Sequence, residues 1–173
     1  LKALLINGSR TASELYDFQV DPVINFQGWG TVNLGNSLPN SMFQSSPEPE
    51  AQASLEFVDQ SPEDSLATGE QRSWNLTLNT NEARALPLRM SLVWTDPPGN
   101  PSAGIKLVND LDLIVSNTVS GEIFYGNNFS PDELFTTVTS TNGVPRLDNV
   151  NNVENVFISP PLSTNYVVSV VAR

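Results

Sequence analysis

The stretch Leu107-Val108-Asn109-Asp110-Leu111-Asp112-Leu113-Ile114-Val115-Ser116 decides the fold. Leu111, Leu113 and Val115 alternate with Asp110 and Asp112, the period-2 pattern of a strand with one face buried. The neighbouring segments repeat it. Leu86–Thr95 places Leu88, Met90, Leu92 and Trp94 on one face and stops at Asp96-Pro97-Pro98-Gly99. Gln71–Leu78 does the same with Trp74, Leu76 and Leu78. Ser54–Val58, Glu122–Tyr125, Val153–Ser159 and Asn165–Ala172 complete a set of short strands separated by turn residues, with no helical period after residue 10. The predicted class is mostly β, an antiparallel β-sandwich or jelly roll.

The N-terminal part differs. Leu1–Asn7 (LKALLIN) reads as the last two turns of a buried helix that ends at Asn7-Gly8. The run Gln27-Gly28-Trp29-Gly30-Thr31-Val32-Asn33-Leu34 sets a tryptophan between two glycines, which predicts a close backbone approach beneath an anchored ring. Residues 36–54, rich in Pro, Ser and Glu, read as a linker or long surface connection.

Composition narrows the chemistry. Among 173 residues, 8 Lys and Arg face 19 Asp and Glu, a net charge of -11, which repels nucleic acid and anionic lipid, so neither a nucleic-acid partner nor membrane insertion is expected. With neither histidine nor cysteine, this stretch cannot carry a Ser-His-Asp triad, thiol catalysis or an ordinary zinc site. Leu1 stands where an initiator Met would, and no signal peptide precedes it, which suggests a piece of a longer protein. If the carboxylates are ion-bound or hydrogen-bonded in the folded state, stability should fall as acid protonates them.

Two stretches resemble a known family. Residues 1–8 followed by 27–34 look like the end of a subtilisin-like serine protease domain. Ser91-Leu92-Val93-Trp94-Thr95-Asp96, residues 107–113, Tyr125-Gly126-Asn127-Asn128-Phe129 and residues 148–156 are similar to the C-terminal β-sandwich of the alkaline-protease branch of subtilases, a relative in shape of the kexin P domain. The resemblance implies two units: residues 1–40, a short helical and extended remnant of an α/β catalytic domain with the start of a linker, and residues 41–173, the appended sandwich. It implies a secreted serine endopeptidase as parent, with the catalytic Asp, His and Ser outside this chain. The sandwich would be non-catalytic, would stabilise its own upstream protease domain, and would meet protein substrates only through that parent. The family continues beyond the position of Arg173 into one further strand, whose absence would leave an open sheet edge.

Asp110 and Asp112, two apart on one strand face and about 7 Å apart, could hold Ca²⁺ together with Asn109 and loop oxygens from Asn127, Asn128, Asp148, Asn149 or Asn152, since hard cations take six to eight oxygens. Family members bind structural calcium. The alternative is that both acids accept hydrogen bonds from backbone amides. Trp29, Trp74 and Trp94 could form an aromatic platform, which would make the chain a carbohydrate- or cell-surface-binding module. Trp74 and Trp94 fall on the apolar strand faces, however, where tryptophan is core, and Trp29 reads as an inter-domain anchor. Asn7-Gly8-Ser9, Asn75-Leu76-Thr77 and Asn128-Phe129-Ser130 are glycosylation triplets that matter only in a eukaryotic secretory host.

Overall fold

The computed structural model describes residues 1–12, 28–38, 55–130, 134–139 and 143–173. Most of the expected linker, residues 39–54, lies outside them, as does Ser54 of the first expected strand. Among the described residues seven strands form: β1 (Gln71–Thr77), β2 (Leu88–Val93), β3 (Leu111–Asn117), β4 (Ile123–Phe129), β5 (Thr136–Thr139), β6 (Val153–Ile158) and β7 (Asn165–Ala172). All paired strands are antiparallel. One sheet runs β1-β7-β3-β4-β5 and the other is the pair β2-β6. The two sheets sandwich one core, as the alternation predicts.

That core is the inward face of each strand. Leu113 and Val115 of β3, Phe124 of β4, and Tyr166 and Val170 of β7 meet Val156 and Ile158 of β6; Trp74, Leu76, Leu88, Met90 and Leu92 close around them. Val115 and Val156 are completely buried. Each such aliphatic side chain contributes about 1.5–3 kcal/mol through burial. The β-branched run Val167-Val168-Ser169-Val170-Val171 suits β7 to the middle of its sheet, where it pairs with both β1 and β3.

Several expectations change. Leu55–Gln60 makes no strand, and Phe57 and Val58 remain exposed because no neighbouring strand pairs with them. β3 begins at Leu111 because Asp96 holds the preceding residues in a loop. It accepts from the backbone of Val108 (2.7 Å) and Asn109 (2.8 Å) and from the Asn109 side chain (3.0 Å). β5 was not expected. Among the described residues three short helical turns follow residue 10 after all: α2 (Leu34–Ser37), a 3-10 turn at Pro62–Asp64 and α3 (Asn81–Arg84), started by side-chain caps from Asn33, Ser61 and Thr80. α3 is tied down by the reciprocal pair Arg84 Nε to Leu162 O (2.7 Å) and Leu162 N to Arg84 O (2.8 Å).

The first helix, α1 (Lys2–Asn7), forms as expected and ends at Gly8, but none of its residues is buried. It lies on the outer side of β2. Gly8 has an ordinary right-handed conformation; the glycine is needed because a side chain there would overlap Ser37 of α2. Gly30 is the reverse case, with φ of +86° and the Arg10 carbonyl against its Cα, so the close approach read around Trp29 is present.

β6 carries no open edge. β2 pairs along one side. On the other, the Asn127 carboxamide takes the place of a strand: its Nδ2 donates to Val153 O (2.7 Å) and its Oδ1 accepts from Asn155 N (3.0 Å). Thr136 Oγ1 accepts from Phe157 N (2.9 Å). Asn127 sits at φ of +56°, a conformation asparagine tolerates better than most residues, where β4 shifts register.

Candidate functional site

Where β3 and β4 part, an acidic group gathers. Glu154 faces inward on β6, opposite Leu92, in phase with Val156 and Ile158. It is only 1% exposed. Its carboxyl accepts from Leu113 N and lies over Gly126, where any Cβ would overlap it. Burial pushes the Glu154 carboxyl up to about 9, and the nearby Asp112, Asp148 and Asp110 add to the rise. At neutral pH it is therefore a neutral acid.

Asp112 is also 1% exposed. Its Oδ2 pairs with Arg173 Nε, while its Oδ1 is buried with no hydrogen-bond partner. Asp110 lies two residues earlier, and its Oδ1 is likewise buried and unpartnered. Burial raises the Asp110 carboxyl above its ordinary range, Asp112 raises it further, Arg173 draws it back and Asp148 adds a last increment. Arg173 also fixes the backbone here by donating its N–H to Asp110 O (2.9 Å).

The other expected ligands are engaged within the protein. Asp148 accepts from Val150 N (2.9 Å) and Asn151 N (3.2 Å) on one oxygen, and from Asn127 Nδ2 (2.6 Å) and Asn151 Nδ2 (2.7 Å) on the other. Asn109 gives its amides to Asp96, and its carbonyl accepts Trp94 Nε1 (2.9 Å). Asn128 turns toward β5, donating to Thr137 O (3.2 Å) and Thr139 Oγ1 (3.4 Å). Asn152 bridges Trp94 O (3.0 Å) and Lys2 Nζ (3.2 Å). Among the described residues no group of three or more acids is placed to hold a metal ion. Two orphaned oxygens, on Asp110 and Asp112, are what this region offers a hard cation; such buried, unpartnered oxygens fit one. Asp96, by contrast, is held below the usual carboxylate range, first by the Val108 N–H and also by the amides of Asn109.

A second cluster lies on the outer side of β2–β6. Phe157 and Phe129 meet edge to face with centroids 5.5 Å apart, and Trp29 packs on Phe129 at 6.2 Å. The Arg89 guanidinium lies 3.9 Å over the Phe157 ring and donates from Nη1 to Ser9 O. Burial lowers Arg89 to about 10, so it remains charged at neutral pH. Asn7 Nδ2 donates to Arg89 O (3.1 Å) and Ser91 Oγ (3.3 Å). Residues 1–12 and 28–38 are thereby fastened to the sandwich. Trp74 joins the main core, leaving the three tryptophans in three different settings. Glu154 and Arg89 were missed from the sequence, and Asn127 stood there only as one of several loop oxygens for a cation. For Glu154 a signal existed, a charge in phase with Val156 and Ile158.

No protein-family model matches the chain. It is similar to three proteins of Dictyostelium discoideum. The serine protease/ABC transporter B family protein tagD is 29% identical over 184 residues, covering 92% of this chain and 10% of that protein. The tagB protein is 26% identical over 201 residues (96% and 10%), and tagA 30% over 173 residues (98% and 9%). The chain thus spans about a tenth of the length of these relatives. The similarity relates it to serine-protease-related proteins.

Proposed function

We propose that this chain is the non-catalytic β-sandwich region of a secreted subtilisin-like serine endopeptidase, and that it stabilises the protease domain on which it is built. The observation that carries the reading is the fastening of residues 1–12 and 28–38 to the outer face of β2–β6, through Arg89, Asn7 and the Trp29-Phe129-Phe157 stack. Those are the residues that resemble the end of a subtilase catalytic domain. A rigid joint at that point ties unfolding of one unit to the other. The relatives' names, which begin with a serine protease, support the same direction. Chemistry on protein substrates belongs to the parent, since this chain has no histidine.

The test is the reading frame upstream of Leu1. A Gly-Thr-Ser-type nucleophile segment within a few dozen residues, with Asp and His motifs before it, is the expected result. A frame without them removes the protease reading and leaves a binding module.

Calcium is the proposed cofactor, held by the free oxygens of Asp110 and Asp112 with further oxygens from the same loops. An ion there offsets the repulsion among Asp110, Asp112 and Asp148. It stabilises the folded chain by mass action, so the melting temperature should rise with Ca²⁺ over an EGTA control. Asp112→Asn should abolish that rise. Equal melting temperatures in EGTA and excess Ca²⁺ sink this part.

A further inference from the structure

A folded protein accommodates an N-linked glycan where three conditions meet: an Asn-X-Ser/Thr triplet with X other than proline, a carboxamide nitrogen the fold does not need as a donor, and open space beyond it. Asn7, Asn75 and Asn128 satisfy the first condition, while Asn100-Pro101-Ser102 is barred by its proline. The fold separates the three. Asn7 is half-buried and its Nδ2 supplies the bonds to Arg89 O and Ser91 Oγ that fasten α1 to β2. Asn128 is half-buried and its Nδ2 binds Thr137 O and Thr139 Oγ1 across to β5. A sugar on either nitrogen replaces a donated proton and must occupy packed space.

Asn75 is different. It lies at the centre of β1, an edge strand, and its side chain is exposed on the outer face. The carboxamide donates to nothing among the described residues. Its neighbours along β1 on that face are small and polar: Ser73, bonded to Ser169 (2.8 Å), and Thr77, whose hydroxyl reaches Asn165 (3.2 Å); Val167 of β7 stands directly opposite.

We propose that Asn75 is the position at which the folded chain carries an N-linked glycan. Its Nδ2 bonds to the anomeric carbon of an oligosaccharide borne on a lipid pyrophosphate. The sugar–oxygen bond breaks, the lipid pyrophosphate leaves with the electron pair, and one amide proton is lost. The inference rests on the secretory route proposed above. It adds which of three equivalent triplets is used, and it places the glycan midway along an open strand edge, where it shields backbone groups that would otherwise pair with another chain.

The experiment expresses the full chain behind a cleavable leader in a eukaryotic secretory host. The secreted, folded protein is treated with a peptide-N-glycosidase in heavy-oxygen water, which converts each occupied asparagine to labelled aspartate. The tryptic peptide Ser73–Arg84 should carry the label at Asn75, with Asn7 and Asn128 unlabelled. The electrophoretic shift on deglycosylation should vanish in Asn75→Gln and in Thr77→Ala and persist in Thr77→Ser. Two acceptor-breaking variants guard against a folding defect in one. Secreted chain with Asn75 unlabelled, or with the glycan at Asn7 or Asn128 in its place, overturns the proposal. Fractionation of the source cells tests the secretory reading separately: chain confined to the cell interior overturns that reading whatever the host result at Asn75.

Discussion

Replacing Glu154 with glutamine will abolish most of the chain's loss of stability between pH 5 and pH 9. Glu154 has an ordinary value of 4.5 and is raised to about 9 in the folded chain. Below 4.5 both folded and unfolded chains hold the proton, and the neutral acid's full stability is present. As pH rises from there, the unfolded chain releases the proton and the folded chain keeps it. Stability is then lost on the order of 1 kcal/mol per pH unit until about 9. Glutamine still accepts from Leu113 N and cannot ionise. Urea titrations at pH 5, 7 and 9 in EGTA should give a wild-type stability that falls by several kcal/mol and a variant stability that stays nearly flat. Parallel pH dependences would falsify the assignment. The sign runs against the acid lability expected from composition. Only carboxyls like Asp96, lowered by backbone amides, act in that direction, and Glu154 and Asp110 oppose it.

Phe157→Ala should be the most damaging single truncation on the outer face of β2–β6, costing about 3–5 kcal/mol. Phe157 is 2% exposed, meets Phe129 on one side and carries Arg89 on the other. Its removal leaves a cavity and takes the ring from beneath a partly desolvated guanidinium. That guanidinium already has Nε and Nη2 buried without partners. Phe157→Leu keeps much of the volume and loses the ring, so it should fall between alanine and wild type. The check is chemical denaturation of both variants at pH 7. An alanine variant within about 1 kcal/mol of wild type would mean the aromatic stack does not fasten residues 1–12 and 28–38.

How much was legible follows from how each residue signals. β1, β2 and β3 could be read because apolar residues alternate along them, and β6 and β7 because short apolar runs stand between turn residues. β5, with the sequence Thr-Thr-Val-Thr, has no such contrast, and it exists because Thr136 meets the β6 backbone. Leu55-Glu56-Phe57-Val58 has strand-like composition and no partner. In the candidate site, Asp110 and Asp112 were visible as acids on a strand, and the structure leaves each with a free oxygen. Asn128 was drawn to the wrong company because a register shift in β4 turns Asn127, not Asn128, toward β6. Asn127 was readable only as a loop oxygen: a side chain standing in for a strand is a property of the assembled sheets.

That substitution at β6 shapes how the molecule comes apart. A strand with one bare margin can peel away residue by residue. β6 is held by β2 along one margin and by Asn127 and Thr136 along the other. Releasing the amides of Asn155 and Phe157 therefore requires β4, β5 and β6 to separate together. The two layers open as one cooperative unit, and fraying is confined to the outer margins at β1, β2 and β5.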